Sequence, residues 1–222
     1  MDEPADRAAT RAGYDAIAEP YAELFGAELA RSVMDRAVVG AFAEMVGDAD
    51  VLDAGCGPGE VAAHLHRLGP RVRGIDLSPA MVALARRTHP GIPFAVGDLA
   101  ALDVADGALG GVVAWYSIIH IPPPELPAVV RGFHRVLRPG GHLLLGFQIG
   151  DDVSHHDEAF GHRVSLDFRR LRPDDVVALL EGAGFDVVAR VVRAPEPGSA
   201  ASRTPQGAVI ARRRAQGVAT PR

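Results

Sequence analysis

The 222-residue chain has no lysine, one cysteine and one tryptophan, and its acidic residues outnumber its basic ones. The exclusive use of arginine as the strong base is interpreted as the codon bias of a GC-rich genome. A net charge of −5 gives no basic field of the kind that attracts proteins to nucleic acid or anionic lipid. The lone Cys56 cannot form an internal disulfide, which favours a reducing compartment and hence the cytoplasm.

Long hydrophobic runs are also missing from the sequence. No apolar stretch approaches the ~18 residues that span a bilayer. The first residues are acidic and include proline, unlike a secretory signal. Glycine and proline, at 25 and 17 residues, stay below the share typical of disordered chains, and 48% of residues are hydrophobic. The sequence therefore predicts one packed domain, monomeric or homodimeric, with no membrane or nucleic-acid partner.

The N-terminal quarter of the chain has helical periodicity. Between Arg7 and about Val46, apolar residues recur every three or four positions. This spacing predicts two or three amphipathic helices, and residues 1–46 are expected to form a cap or lid. Pro20 is expected to end or kink the first of them, because proline lacks the amide that a helix interior needs.

Short apolar runs then alternate with helix-like stretches. The first five runs are residues 50–53, 72–75, 93–96, 111–115 and 142–147, and two more follow at 185–192 and 208–212. This alternation predicts an α/β fold with a doubly wound, Rossmann-like sheet of seven mostly parallel strands and helices on both faces. A loop rich in proline, glycine and serine joins the last two strands as a hairpin, so the last strand is expected to be antiparallel.

The predicted domain boundaries follow from this pattern. Residues 47–213 form the main domain, with a cap insertion at about 148–172 and a flexible tail at 214–222. Within the insertion, residues 148–162 are expected to be a polar, His-rich loop, and residues 163–169 a strand.

A glycine-rich turn follows the first predicted strand. Residues 51–60 read VLDAGCGPGE, and glycines there let a ligand contact the main chain with no Cβ in between. By itself the turn also suits an ordinary connection between a strand and a helix. Asp76, 21 residues after Gly55, ends the second strand, where a carboxylate can bind both hydroxyls of a ribose. Asp98 ends the third, where it can accept from an adenine amine, so a nucleoside site is predicted at this edge of the sheet.

Five segments resemble, in order and spacing, the motifs of the class I S-adenosylmethionine-dependent methyltransferases, in their small-molecule branch. They are VLDAGCGPGEVAAHL, GIDLSPAMVALAR, VGDLAAL, VVAWYSIIHIPP and RVLRPGGHLLLGF. The resemblance spans about residues 10–212 and is specific for fold and cofactor rather than for substrate. It implies S-adenosylmethionine as the cofactor, with Gly55, Cys56 and Gly57 along its methionine and ribose parts.

The same resemblance implies the remaining cofactor contacts. Asp53 would brace the glycine turn or reach the cofactor ammonium, Asp76 would hold the ribose, and Trp115 would lie beneath the cofactor. The adenine would be flanked by Leu77, Met81, Asp98 and Leu99.

Two elements are candidates for the acceptor side of the site. His120 follows the fourth strand, near where the methyl group would point, and its ordinary pKa near ~6.5 suits a general base. It is equally a candidate pocket wall. Tyr14 and Tyr21 lie in a segment similar to the family's Y-D-x-x-A-x-x-Y lid, which implies hydroxyls that reach the cofactor or the substrate. Their seven-residue spacing also fits a plain apolar stripe of a helix.

Other polar clusters are interpreted as surface. His155 and His156 are adjacent on the predicted loop, where neighbouring side chains point apart more readily than they chelate, so no metal site is predicted. The basic patch that includes Arg169 and Arg170 is interpreted as a solvated face.

The resemblance therefore implies an enzyme that methylates an oxygen, nitrogen or carbon of a small metabolite, for example one of specialised metabolism, by in-line displacement. Two alternative functions are compatible with the same predicted sheet. A nicotinamide-dependent oxidoreductase prefers G-x-G-x-x-G, whereas this turn reads G-C-G-P-G. A cofactor-binding protein of the same fold without transfer activity is the second.

Overall fold

The computed structural model describes residues 4–195 and 204–215. Its strands are β1 (Asp50–Ala54), β2 (Arg71–Asp76), β3 (Phe94–Val96), β4 (Leu109–Trp115), β5 (Leu137–Gln148), β6 (Val153–Ala159), β7 (His162–Arg169), β8 (Phe185–Arg193) and β9 (Gln206–Arg213). Its helices are α1 (Ala5–Phe25), α2 (Glu28–Arg31), α3 (Val33–Val46), α4 (Glu60–Leu68), α5 (Pro79–Thr88), α6 (Leu126–Val136) and α7 (Pro173–Gly182), with a 3₁₀ helix at Ile118–His120.

Seven strands form the central sheet, in the order β3-β2-β1-β4-β5-β9-β8. The pairs from β3 to β5 are parallel, and β9 is antiparallel to both of its neighbours. The predicted Rossmann-like sheet with an antiparallel last strand is therefore confirmed. Because parallel strands end at one edge, the residues that follow β1, β2, β3 and β4 are brought together there.

Helices cover both faces of this sheet. Along β5, Leu143 and Leu145 pack into one core with Phe133 of α6, while Leu144 packs into the other with Phe42 of α3. Successive side chains of a strand point to opposite faces, so a continuous leucine run is what a strand buried on both sides requires.

Helix α1 runs through Pro20 to Phe25, so the helix does not end at Pro20, and the alternative, a kink there, stays a prediction. Proline removes the amide that would bond to the carbonyl of Ala16, and Ala16 is exposed to water, which can replace the lost partner.

The His-rich segment is not a loop, which corrects the prediction for residues 148–162. Strands β6 and β7 pair antiparallel as a separate two-stranded sheet, with His156 opposite Leu166. Five of the seven residues of β6 are exposed and none is buried, so the strand lacks the apolar alternation by which it could be predicted. The hairpin packs on α1, since the side chain of Leu166 lies against Gly13.

Within residues 4–195 and 204–215, no helix is both long and apolar enough to cross a membrane. Most of the predicted flexible tail, and the centre of the loop between β8 and β9, lie outside these described residues.

Candidate functional site

A cavity of about 340 Å³ lies at the edge of the sheet where the parallel strands end, and α1 forms part of its wall. Its lining includes every predicted site residue except Asp53. These residues are Tyr14, Tyr21, Gly55, Cys56, Gly57, Asp76, Leu77, Met81, Asp98, Leu99, Trp115 and His120. Candidates that lie as many as 106 positions apart in sequence, such as Tyr14 and His120, therefore share one cavity.

The two outer glycines of the sequence Gly55-Cys56-Gly57 have different roles. Both have positive φ, 80° at Gly55 and 51° at Gly57. A Cβ on Gly55 would lie 2.3 Å from Cβ of Ser117, so this glycine is required for packing. A Cβ on Gly57 would meet no atom within 4 Å, and Gly57 lines the cavity. Gly57 therefore leaves room for a ligand beside the main chain.

Asp76 is fixed at the floor of the cavity by main-chain amides. Its Oδ2 accepts from the amide of Gly57 at 2.8 Å, and its Oδ1 accepts from the amide of Ser78 at 2.9 Å. Burial raises the pKa of this carboxyl. Each carboxylate oxygen can accept more than one hydrogen bond, so the preoriented group keeps capacity for a pair of ligand hydroxyls.

Asp98 is a second carboxylate in the cavity lining. Its Oδ1 accepts from the amide of Ala100 at 2.7 Å, and its Oδ2 accepts from Nη1 of Arg7 at 2.9 Å. Arg7 also binds Glu125 at 2.5 Å, so the start of α1 is tied to this wall. Sequence analysis missed Arg7, because a contact across 91 positions leaves no local pattern.

Asp15 fastens the middle of α1 to the start of α5. Its Oδ1 accepts from Oγ of Ser78 at 2.6 Å and from the amide of Ala80 at 3.0 Å. Ser78 Oγ in turn accepts from the amide of Met81, as an N-cap does. The predicted lid is therefore held by the helix that follows Asp76.

His120 and Tyr14 meet at the cavity wall. Nδ1 of His120 lies 2.9 Å from the carbonyl oxygen of Asp167, and Nε2 lies 2.8 Å from the hydroxyl of Tyr14. A carbonyl can only accept, so Nδ1 carries the proton, and in the neutral ring Nε2 is then the acceptor. Tyr14 must donate to Nε2, which leaves the lone pairs of its oxygen for another donor.

Burial keeps this pair uncharged. It lowers the pKa of His120 to about 4, with a smaller contribution from the guanidinium of Arg169, whereas the hydrogen bond to Asp167 acts in the opposite direction. Burial also raises the pKa of Tyr14 well above its usual value. The expectation of an ordinary histidine pKa is therefore wrong, and at neutral pH His120 is a weak base that holds the Tyr14 hydroxyl in a defined orientation.

Aromatic side chains line much of the rest of the cavity. Sequence analysis proposed Tyr21 and Trp115 but missed Phe25 and Phe168, which also line it. The rings of Tyr21 and Phe25 lie 4.8 Å apart, and Tyr21 packs edge-on against Tyr14. Gln148 from β5 adds an amide to this wall. This part of the cavity suits a flat, largely apolar molecule.

Asp53 lies behind the glycine turn, outside the cavity lining. Its side chain is 1% exposed, and neither carboxylate oxygen has a hydrogen-bond partner among the described residues. Burial raises its pKa to about 7, and the nearby amide of Ala62 only partly offsets this effect. Direct contact with a ligand is not supported by this placement.

The buried carboxyl predicts a specific dependence of stability on pH. The folded state favours protonated Asp53, so the wild type loses stability as pH rises from about 4 to about 7, while the unfolded chain alone ionises. Asp53→Asn removes this loss. We expect it to be more stable than the wild type by about 2 to 4 kcal/mol at pH 8, and to differ little at pH 4. Urea unfolding at both pH values measures the difference.

Asp50→Asn, in the same strand, is the matched control. Asp50 is half exposed and bonded to Arg71, which lowers the pKa of its carboxyl, so this variant should lose stability rather than gain it at pH 8. If the free energy of unfolding depended on pH in the same way in Asp53→Asn and in the wild type, the buried, unpaired state of Asp53 would be contradicted.

The histidines of the hairpin lie apart from each other. His155 Nδ1 binds Oδ1 of Asp167 at 2.7 Å, while His156 Nε2 lies 3.0 Å from Oγ of Ser154. Among the described residues, no group of three or more His, Cys, Asp or Glu side chains could hold a metal ion. The absence of a metal stays a prediction.

The cavity fits the cofactor that the sequence implies. The carboxylate of Asp76 is held by main-chain amides beside Gly57, whose Cβ position is open. The carboxylate of Asp98 and the side chains of Leu77 and Leu99 line the same cavity. The ribose diol of S-adenosylmethionine matches Asp76, the adenine amine matches Asp98, and the adenine ring matches the two leucines.

Comparison with known proteins also indicates a methyltransferase domain. Residues 51–141 match the family described as a methyltransferase domain. A demethylmenaquinone methyltransferase of Chlorobaculum parvum is 37% identical over 92 residues, which are 41% of this chain and 37% of that protein. A ubiquinone biosynthesis O-methyltransferase of Xanthomonas oryzae is 36% identical over 104 residues, 44% of this chain and 42% of its own length. The chain thus spans less than half of either relative.

Solved structures share the fold. The magnesium protoporphyrin IX methyltransferase of Synechocystis, crystallised with bound S-adenosylmethionine, superposes with a TM-score of 0.71 over 96% of this chain and 99% of that one. At 18% identity, this likeness concerns the architecture alone.

Proposed function

We propose that the chain is a class I S-adenosylmethionine-dependent methyltransferase, which methylates a small molecule bound beside the cofactor in this cavity. One observation carries the proposal. One cavity is lined by Gly57 and the carboxylates of Asp76 and Asp98, and also by aromatic side chains and the hydrogen-bonded pair of Tyr14 and His120.

Three lining residues would hold the cofactor. Asp76 would accept from the ribose hydroxyls, Asp98 from the adenine amine, and Gly57 would leave room for the cofactor along the main chain. When bound, S-adenosylmethionine supplies an electrophilic methyl group on a sulfonium. The rest of the catalysis is alignment and exclusion of water, which can supply roughly 7 to 11 kcal/mol of barrier reduction.

Tyr14 and His120 would handle the acceptor's proton. The Tyr14 oxygen can accept a hydrogen bond from an O–H or N–H of the acceptor, while its own hydrogen is donated to Nε2 of His120. As the acceptor atom gains a methyl group it becomes acidic. Its proton can then pass to Tyr14 while the Tyr14 proton moves to Nε2. A histidine with a pKa of about 4 suits this late transfer better than removal of a proton beforehand.

The acceptor we propose is compact, planar and largely apolar. Rings of Tyr21, Phe25, Trp115 and Phe168 line the space beside Tyr14, and flat ring systems pack well against aromatic faces and edges. The named sequence relatives include a demethylmenaquinone methyltransferase and a ubiquinone biosynthesis O-methyltransferase, which agrees with a planar acceptor.

Cofactor binding by Asp76 variants tests this proposal. We expect Asp76→Ala to weaken S-adenosylmethionine binding by about 10- to 150-fold, the scale of hydrogen bonds to a charged group, about 1.5 to 3 kcal/mol. Isothermal titration calorimetry measures it. Asp106→Ala is the control, because Asp106 is exposed, pairs with Arg135 and lies outside the cavity lining, so this variant should bind the cofactor normally. Unchanged affinity in Asp76→Ala would remove the ribose assignment, and preferential binding of NADH would favour an oxidoreductase.

A further inference from the structure

Strand β7 holds His120 through three consecutive residues. The carbonyl oxygen of Asp167 faces Nδ1 of His120, the ring of Phe168 packs at 5.0 Å and 67° to the imidazole, and Nη1 of Arg169 donates to the carbonyl oxygen of His120 at 3.0 Å. Main chain and side chain of His120 are thus both held by one strand.

Arg169 is more than part of a solvated basic patch. Its side chain is only 14% exposed, and its Nη2 donates to Oδ2 of Asp167 at 2.8 Å while Nη1 binds His120. The planar guanidinium therefore bridges the 3₁₀ helix that carries His120 and the residue whose carbonyl faces Nδ1. Arg170, the next residue, pairs instead with Asp152 and has no hydrogen bond to His120.

The bridge matters because the two tautomers of His120 have different effects on Tyr14. With the proton on Nδ1, Nε2 accepts from the Tyr14 hydroxyl, and the lone pairs of the Tyr14 oxygen stay free. With the proton on Nε2, that nitrogen donates to Tyr14 and uses one of these lone pairs. Among the described residues, the carbonyl of Asp167 is the group that bonds to Nδ1 and so selects between the two tautomers. Its position depends on how β7 packs against the 3₁₀ helix.

We propose that Arg169 is a positioning residue that holds the Asp167 carbonyl on Nδ1 and so fixes His120 in the Nδ1–H tautomer, which sets the direction of the Tyr14 hydroxyl. The consequence for catalysis rests on the proposed methyl transfer, but the tautomer itself does not.

The tautomer can be read in the whole protein by NMR of histidine labelled with ¹⁵N at both ring nitrogens. At pH 7 we expect the wild-type signal of His120, identified by its loss in His120→Ala, to show a protonated Nδ1 and an unprotonated Nε2. In Arg169→Gln the ratio of the two tautomers should shift toward Nε2–H by roughly 2- to 13-fold, the effect of one hydrogen bond of about 0.5 to 1.5 kcal/mol. Arg170→Gln should keep the wild-type signal.

A conservative variant separates positioning from folding. Lysine keeps the charge at position 169 but cannot bridge two acceptors with one planar group, so Arg169→Lys should shift the ratio in the same direction by less. It also serves as the test if Arg169→Gln fails to fold. A wild-type tautomer ratio in a folded Gln variant, or in Lys if Gln is unfolded, would overturn the proposal.

Binding of S-adenosylhomocysteine separates this proposal from the methyltransferase function. We expect calorimetry to give the Arg169 variants the wild-type affinity, because Arg169 lies outside the cavity lining. A shifted tautomer together with no binding of S-adenosylhomocysteine by any form, including the wild type, would contradict the proposed function and leave the role of Arg169 supported.

Discussion

Replacing Gly57 with valine is expected to weaken S-adenosylmethionine binding by about 100-fold or more, equivalent to about 2.8 kcal/mol. A Cβ at this position meets no protein atom within 4 Å, so the first carbon of the added side chain does not collide with the fold. It projects from a cavity-lining residue beside Asp76, where the cofactor would lie. The affinity loss should thus come from steric exclusion of the ligand.

The backbone strain of this substitution has its own control. Gly57 has a φ of 51°, and a non-glycine residue there costs roughly 1 to 2 kcal/mol, more for a branched side chain. Gly140 also has positive φ, 77°, also has open space at its Cβ position, and lies outside the cavity lining. Gly140→Val should therefore lose stability but keep cofactor affinity. Normal binding by folded Gly57→Val would show that the turn is not the site.

Removing the imidazole of His120 is expected to lower kcat by about 100-fold while the affinity for S-adenosylhomocysteine stays nearly unchanged. The expected size is that of proton transfer by a positioned side chain, about 10² to 10⁴ in rate. Turnover is measured as transfer of a labelled methyl group to an acceptor found by screening small planar phenols and amines. A His120→Ala variant that changes only the substrate KM would make the histidine a pocket wall.

Tyr14→Phe is the companion variant, because it keeps the ring that packs on Tyr21 and His120 and removes only the hydroxyl. If the two side chains act as one unit, the double variant should be little slower than His120→Ala alone. Fully additive losses would mean that the two groups act separately.

The pH profile gives a further check of the same pair. Neutral imidazole is the form that accepts the Tyr14 proton, so activity should rise as pH increases through about 4 and stay level through 6.5. In His120→Ala this limb should be lost. A wild-type limb near 6.5 would contradict the buried, neutral state of the histidine.

Local sequence patterns sufficed for the sheet and for half of the site. The leucine run of β5, the glycines after β1 and the carboxylates at the ends of β2 and β3 each carry their meaning within a few residues. Chain topology then brings Asp76 and Asp98 together, because parallel neighbours end at one edge of the sheet.

The other half of the site depends on contacts that no local pattern contains. Arg7 meets Asp98 across 91 positions, and Arg169 meets His120 across 49. Strand β6 went unpredicted because its side chains face water on both sides. The pKa of His120 also departs from its ordinary value only through burial, which depends on how α1 and β7 close over the ring.

A crystal structure with bound S-adenosylhomocysteine tests most directly whether this cavity is a methyltransferase site. We expect the ribose hydroxyls to bind Asp76 and the adenine amine to bind Asp98. The ligand should run along Gly57, with its sulfur facing the aromatic side chains beside Tyr14 and His120. S-adenosylhomocysteine bound elsewhere on the protein, or bound in the cavity with its sulfur turned away from Tyr14 and His120, would contradict the proposed site.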